Sequence, residues 1–271
     1  MVVKFGAVCP HPPIAVPEVG RGEDREVAAT QEAMLEIGRR IKESSAAALV
    51  IISPHIPVIR DTVVLNVADP LEGNLSQFRA PEVSFRVRPD RELALRIRQL
   101  AEENGLEALI AGQGGGRGLE LDHGVTVPLY FLRKAGVNLP LLTVSITFWE
   151  LEDIYRFGKI IAEAAKQINR KIAVVASSDL SHRLQPGAPA GYDVRGKEFD
   201  HKYKQLVEEV DADGLLNIDP VLVERAGQCG LRPTIMLFGA LDGLQVESEV
   251  LSYEGPFGVG YLVAALKVIG G

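Results

Sequence analysis

Apolar residues along this chain fall into two alternating arrangements: short unbroken runs, and longer stretches in which they recur every third or fourth position. The run Leu49-Val50-Ile51-Ile52 stops at Ser53-Pro54-His55. Its length and β-branched character predict a buried strand, and Pro54 cannot donate to a ladder, so His55 is expected at the strand's C-terminal end. Val2-Val3-Lys4-Phe5-Gly6-Ala7-Val8 leads in the same way into Cys9-Pro10-His11-Pro12-Pro13. Ile172-Ala173-Val174-Val175-Ala176 leads into Ser177-Ser178-Asp179-Leu180-Ser181-His182. Between such runs, the stretch from Glu26 to Ser44 spaces Val27, Met34, Ile37 and Ile41 for one helical face. A second helix is expected from Pro89-Asp90, with Leu93, Ile97 and Leu100 inward, ending at the left-handed cap that Asn104-Gly105 supplies. Val125 to Arg133 predicts a buried helix, and Glu150 to Asn169 one with Ile154, Phe157, Ile161, Ala164, Ala165 and Ile168 on one face. Lys197 to Val210 predicts a charged helix, Asp219-Pro220 starts a short one, and Pro233 begins a longer one through Leu241. Strands are expected at Pro140 to Ile146, Val246 to Tyr253 and Val259 to Val268, with Thr62 to Val67 and Val83 to Val87 as strands or a hairpin-like excursion. This alternation predicts an α/β fold, a single-domain sandwich over residues 1–271 with a central, largely parallel or mixed β-sheet flanked by helices. Its first β-α-β unit has a crossover length that suits parallel neighbours.

Composition narrows the function classes. The net charge is -7 and no basic tail or stripe occurs, so a phosphate-backbone partner is not expected. No apolar segment approaches the roughly 20 residues that a bilayer requires. The first residues enter a strand without a basic, cleavable leader, which makes a cytoplasmic location the expectation. Two cysteines, Cys9 and Cys229, cannot build a disulfide framework, and each reads first as a small core residue. The glycine-dense stretch Gly112 to Gly118 lacks the Gly-Lys-Ser/Thr of a phosphate loop and is expected to be a mobile loop over the site.

Three of only five histidines therefore follow three apolar strands. One histidine after a strand is ordinarily a hydrogen-bonded loop residue; three placed alike point to a shared metal or catalytic site. Two neutral imidazoles and one carboxylate on one face of a metal suit non-heme iron(II) handling a chelating substrate and dioxygen. His11, His55 and Glu254 can supply that set, Glu254 lying in a Gly/Pro turn between two apolar strands. The same ligands would hold zinc or another divalent metal, so the residues do not choose. A catechol loses protons as it chelates, and His182 is the candidate base and proton donor. Asp179 either orients His182 or caps the following turn. His123, near a helix start, is a satisfied cap-region residue or a substrate contact, and His201 sits on a charged, solvated helix face.

Five motifs in order, Cys9-Pro10-His11-Pro12-Pro13, Ser53-Pro54-His55, Leu121-Asp122-His123-Gly124, Ser178-Asp179-Leu180-Ser181-His182 and Tyr253-Glu254-Gly255-Pro256-Phe257-Gly258, resemble the catalytic subunit of class III extradiol ring-cleaving dioxygenases, the LigB-like family. The resemblance implies an α/β domain, iron(II) bound by His11, His55 and Glu254, an acid/base His182 and a second-sphere His123. It implies a catechol-type substrate and dioxygen as partners in ring cleavage, with a homo-oligomeric assembly and no nucleic acid or membrane partner. Gly227-Gln228-Cys229-Gly230-Leu231-Arg232-Pro233 is similar to the Cys-Gly-x-x-Pro of Memo-like relatives, in which a cysteine can take the carboxylate's place. That likeness implies the alternative of a Memo-like metal-binding or peptide-recognition protein without ring cleavage.

Overall fold

A computed structural model describes residues 1–113 and 118–269. The unbroken apolar runs become the interior of an eight-stranded mixed sheet, in the spatial order β6-β3-β7-β2-β8-β1-β10-β9. The strands are β1 (Val3–Cys9), β2 (Ala48–Ser53), β3 (Val63–Asn66), β6 (Ala108–Ala111), β7 (Leu141–Ser145), β8 (Ile172–Ser177), β9 (Val246–Glu254) and β10 (Tyr261–Val268). A separate hairpin pairs β4 (Leu71–Leu75) with β5 (Ala80–Val87). Every residue of β2 and β8 is buried, as expected of strands covered on both faces.

Alternation sorts the side chains into two apolar layers. Val50 and Ile52 of β2 and Val174 and Ala176 of β8 join one layer, covered by α3 (Arg91–Glu103), α5 (Leu151–Gln167), α6 (Arg195–Glu208) and α9 (Leu231–Ala240). Leu49, Ile51, Ala173 and Val175 join the other, covered by α2 (Ala28–Glu43) and α4 (His123–Lys134). Three short helices, α1 (Pro17–Gly20), α7 (Ala212–Leu216) and α8 (Pro220–Ala226), complete the α-helices among the described residues.

Several expectations change in detail. β1 and β2 are parallel but not neighbours, because β8 lies between them and pairs in parallel with both. The excursion divides: β3 joins the main sheet, parallel to β6 and antiparallel to β7, while β5 pairs with β4 across Gly73-Asn74, which reads as a break in the sequence. Helix α9 starts at Leu231, so Pro233 lies inside its first turn, where its missing N–H costs nothing. Of the glycine-dense loop, residues 114–117 lie outside the described residues, and with them the expectation of a mobile cover.

The three strands that precede histidines thus stand side by side and run the same way, so their C-terminal ends open on one edge. On one flank, α5 packs on α9 at backbone contact. A Cβ on Gly158 would stand 2.0 Å from the Met236 carbonyl oxygen, and one on Gly239 2.0 Å from that of Tyr155. Gly158→Ala therefore forces the helices apart, and a urea melt is expected to show a loss of about 3 kcal/mol, the upper part of the usual overpacking range.

Candidate metal centre

His11 lies two residues past the end of β1 and is 1% exposed. Its backbone N–H donates to Asp179 Oδ1 at 2.8 Å, and its Nδ1 lies 2.7 Å from Ser177 Oγ. Ser177 spends its one hydroxyl proton on the carbonyl of Gly124, so it accepts from His11, which fixes the proton on Nδ1 and leaves Nε2 as a bare lone pair. That lone pair faces His55 Nε2 at 3.0 Å and Cys229 Sγ at 3.5 Å, with Asp179 Oδ2 at 3.6 Å.

His55 is held by the loop that ends β2. Its N–H donates to Ser53 Oγ at 3.2 Å, and Ser53 donates to Asp122 Oδ1 at 2.8 Å, which ties this loop to the start of α4. Gly124 permits the approach, since a Cβ there would stand 2.4 Å from Ser53 Oγ. His123, the first residue of α4, then lies beside His55 with ring centroids 4.1 Å apart. Its other side meets the Phe78 ring edge-on at 5.4 Å. Cys229 comes from the turn before α9. That turn presses on the end of β8 so closely that a Cβ on Gly230 would stand 1.9 Å from Ser178 Oγ. The N–H of Cys229 donates to the Asp179 carbonyl at 3.3 Å. Below it, Tyr203 OH bonds both Ser178 Oγ and Thr234 Oγ1, joining the β8 loop to α9.

Among the described residues, the ligand atoms of His11, His55 and Cys229 lie within 4.8 Å of one another, and these three form the group able to hold one ion. The expected third ligand, Glu254, is not part of that group. Its Oε2 accepts from the Thr30 N–H at 2.9 Å and the Thr30 hydroxyl at 2.6 Å, so the carboxylate satisfies an orphan donor in the first turn of α2. In this geometry the expected Glu254 carboxylate bonds the helix terminus, and the Cys229 sulfur lies beside His11 and His55. Cys229 is correspondingly not the plain core residue expected, whereas Cys9 is buried in the core layer with α2 and α4. His201 lies exposed on α6, as its neighbours in sequence imply.

The electrostatics fit a cation. Burial holds His11 well below the ordinary histidine range, with further lowering from the charges that His55, His123 and His182 would carry. Burial also lowers His123, to about 4, and lowers His55 and His182. Burial pushes Asp179 up to about 7, and burial followed by the charge of Asp179 pushes the Cys229 thiol up. Neutral imidazoles, a bare lone pair and a thiol are a donor set that suits a cation. A divalent ion supplies positive charge and favours the deprotonated thiol. His182 sits half-buried on the β8 loop, near enough to His11 and His55 for their charges to oppose one another. Its Nδ1 is buried with no partner among the described residues. Ser177 and Phe78 were not assigned to the site by sequence, and Asp179 was assigned only to His182 or the following turn. Asp179 shares the strand-end position that singled out the histidines, while its bond to His11 replaces the two roles expected of it.

Cavity size does not locate this centre. Two surface cavities, of about 600 Å³ beside Arg40 and about 710 Å³ beside Lys159, open where β1 begins, away from the histidines.

The family model of the catalytic LigB subunit of aromatic ring-opening dioxygenase matches residues 6–264. The chain belongs to the LigB family. Protein CA_C1420 of Clostridium acetobutylicum is 37% identical to this LigB-family chain over 264 residues, covering 95% of the chain and 56% of that protein. The chain thus spans about half the length of that relative. A 3,4-dihydroxyphenylacetate 2,3-dioxygenase of Escherichia coli is 23% identical over 80% of the chain and 82% of its own length. MEMO1 family protein PF1638 of Pyrococcus furiosus is 25% identical over 64% of the chain and 60% of its own. The crystal structure of uncharacterized protein JW3007 from Escherichia coli K12 shares the fold, with a TM-score of 0.69, 15% identity and coverage of 97% and 99%. No described helix of this LigB-family protein is long and apolar enough to cross a membrane.

The two candidate third ligands separate by mutation. Cys229→Ala is expected to abolish retention of a bound divalent metal through gel filtration, measured by elemental analysis. Glu254→Ala is expected to retain the metal while lowering stability by about 1 kcal/mol, the usual cost of losing a helix-terminal acceptor. Ser177→Ala, which frees the His11 tautomer, is expected to weaken metal affinity about 10- to 100-fold in a chelator competition.

Proposed function

We propose that this LigB-family protein is a metal-dependent enzyme that opens the ring of a catechol-type substrate with dioxygen, its metal held by His11, His55 and Cys229. The observation that carries the proposal is the crowding of His123 and His182 around the two-histidine pair, every imidazole kept neutral by burial. Family membership and the dihydroxyphenylacetate dioxygenase relative support the same chemistry. Iron(II) is the metal proposed, because ring opening needs an ion that handles both diol and dioxygen; when bound, it supplies Lewis acidity and passes electron density between them.

The protein's own residues perform the remaining work. His11 and His55 would offer ring nitrogens to the ion, and Cys229 would offer its sulfur. The catechol diol enters on the side of His123, whose ring is braced edge-on by Phe78. His182 takes a hydroxyl proton on a ring nitrogen and returns it after ring cleavage, a task suited to an imidazole that burial keeps neutral at working pH. Asp179, raised toward neutrality by burial, keeps His11 in place through its backbone N–H.

A second reading rests on Cys229. A thiolate in place of a carboxylate makes the donor set softer than the two-histidine, one-carboxylate arrangement of oxygen-using iron sites. That favours a Memo-like metal-binding or peptide-recognition role without ring cleavage, in line with the MEMO1 family relatives.

Anaerobic loading with iron(II), followed by air and a panel of catechols, distinguishes the two. The ring-opening proposal expects oxygen uptake and a yellow product with at least one catechol; none with any catechol refutes it. His182→Ala is expected to keep the metal and to lose about 10²- to 10⁴-fold in turnover, the usual weight of a general base. Loss of the metal in that variant would refute its assigned role.

A further inference from the structure

Helix α6 reads in sequence as a charged, solvated helix, and Glu198 and Glu208 are exposed on it, but Asp200 is 1% exposed. Its Oδ1 accepts from the backbone N–H of Ser181 at 2.8 Å, and its Oδ2 from the Tyr253 hydroxyl at 2.8 Å. Neither partner is a cation, and burial pushes the carboxyl up to about 7. A carboxylate buried without a counter-charge is costly, so what this one holds in place is informative.

Ser181 is itself fully buried and is the residue before His182. The loop that the two share is tied down from three sides. From the turn between β9 and β10, the Gly260 carbonyl accepts from the Leu180 N–H at 2.8 Å, and the Gly260 N–H donates to the Ser181 carbonyl at 2.9 Å. From the end of α8, the Ala226 carbonyl accepts from the His182 N–H at 3.2 Å and from the Ser181 hydroxyl at 2.9 Å. From α6 comes Asp200. Two glycines make the fit possible: a Cβ on Gly260 would stand 2.0 Å from Asp200 Oδ2, and one on Gly196 of α6 would stand 2.5 Å from Ser181 Oγ. Asp200 supplies the charged acceptor of this set, and a charge-assisted hydrogen bond is roughly twice as strong as a neutral one. The Tyr253 hydroxyl engages its second oxygen and so keeps the first on the Ser181 amide.

We propose that Asp200 is a positioning residue: its carboxylate, steered by Tyr253, holds the Ser181 amide and thereby sets the place of the His182 ring. The consequence for turnover rests on the reading that His182 carries the proton in ring opening. Asp200 reaches that ring through one peptide unit. A misplacement of about 1 Å is worth about 10²-fold in rate, which gives an anchor on the adjoining amide leverage over the chemistry.

Two measurements on the full chain test this, for wild type, Asp200→Ala, Asp200→Asn and Tyr253→Phe. The first is the rate at which diethyl pyrocarbonate modifies His182 in the zinc-loaded protein, read by peptide mass spectrometry; it needs no turnover. The second is kcat and KM of the iron(II)-loaded protein with a catechol that the wild type opens. Asp200→Ala leaves the buried Ser181 N–H without its acceptor and is expected to modify at His182 about tenfold faster, with zinc content unchanged. Its kcat is expected to fall about tenfold to a hundredfold, with KM within about twofold of wild type. Asp200→Asn keeps an acceptor for Ser181 and is expected to recover most of both losses. Tyr253→Phe, a milder change at a partly exposed side chain, is expected to move both readouts the same way by about threefold. Variants that melt lower yet leave the His182 rate and kcat as in wild type overturn the proposal, as does an Asp200→Asn protein as impaired as Asp200→Ala. If the wild type opens no catechol, the ring-opening reading falls, and the His182 rate alone decides whether Asp200 is the anchor.

Discussion

The parallel pairing of β8 with β1 on one side and β2 on the other is the constraint on which the centre depends. Strands in register end at the same level, so residues separated by more than a hundred positions in sequence arrive at one edge without any long loop to order. His11 and Asp179 meet because Cys9 is opposite Ser177 in that register. The same alignment puts the Ser177 hydroxyl under the His11 ring, where it fixes the tautomer. Metal-binding character thus begins as a backbone fact: the strands decide which nitrogen of His11 keeps its lone pair.

The turn before α9 brings a sulfur to the two histidines through close packing. Gly230 lets the backbone lie on Ser178, and the buried Tyr203 hydroxyl bonds on both sides of that contact. Cys229 is delivered by main-chain contacts to the β8 loop, so its sulfur sits 3.5 Å from His11 Nε2. Glu254 is claimed by a different need. Helix α2 begins after an irregular turn, without a side-chain cap of its own, and the Glu254 carboxylate serves its first-turn donors. Two acidic or sulfur groups lay within reach of sequence reasoning, and helix capping separates them.

Much of this was legible along the chain. His11, His55 and His182 stand out because an apolar run that stops at proline or a polar cluster marks a strand end, and strand ends are where α/β sheets place chemistry. The helices α2, α3 and α5 were readable from their spacing. What was not legible depends on contacts across the chain. β6 is four residues with an exposed Leu109, too short to signal, and β4 contains Gly73-Asn74, which locally reads as a turn. The choice between Cys229 and Glu254 rests on Thr30 and Gly230, neither of which carries a signal of its own. The intercalation of β8 between β1 and β2 is likewise a property of the whole sheet.

The central claim is that the Cys229 sulfur, rather than the Glu254 carboxylate at the end of β9, completes the two-histidine centre. X-ray absorption on the zinc-loaded protein measures it directly. The account predicts a first shell with two nitrogens at about 2.0–2.1 Å and one sulfur at about 2.3 Å. A shell of nitrogen and oxygen alone, with no sulfur, would contradict it.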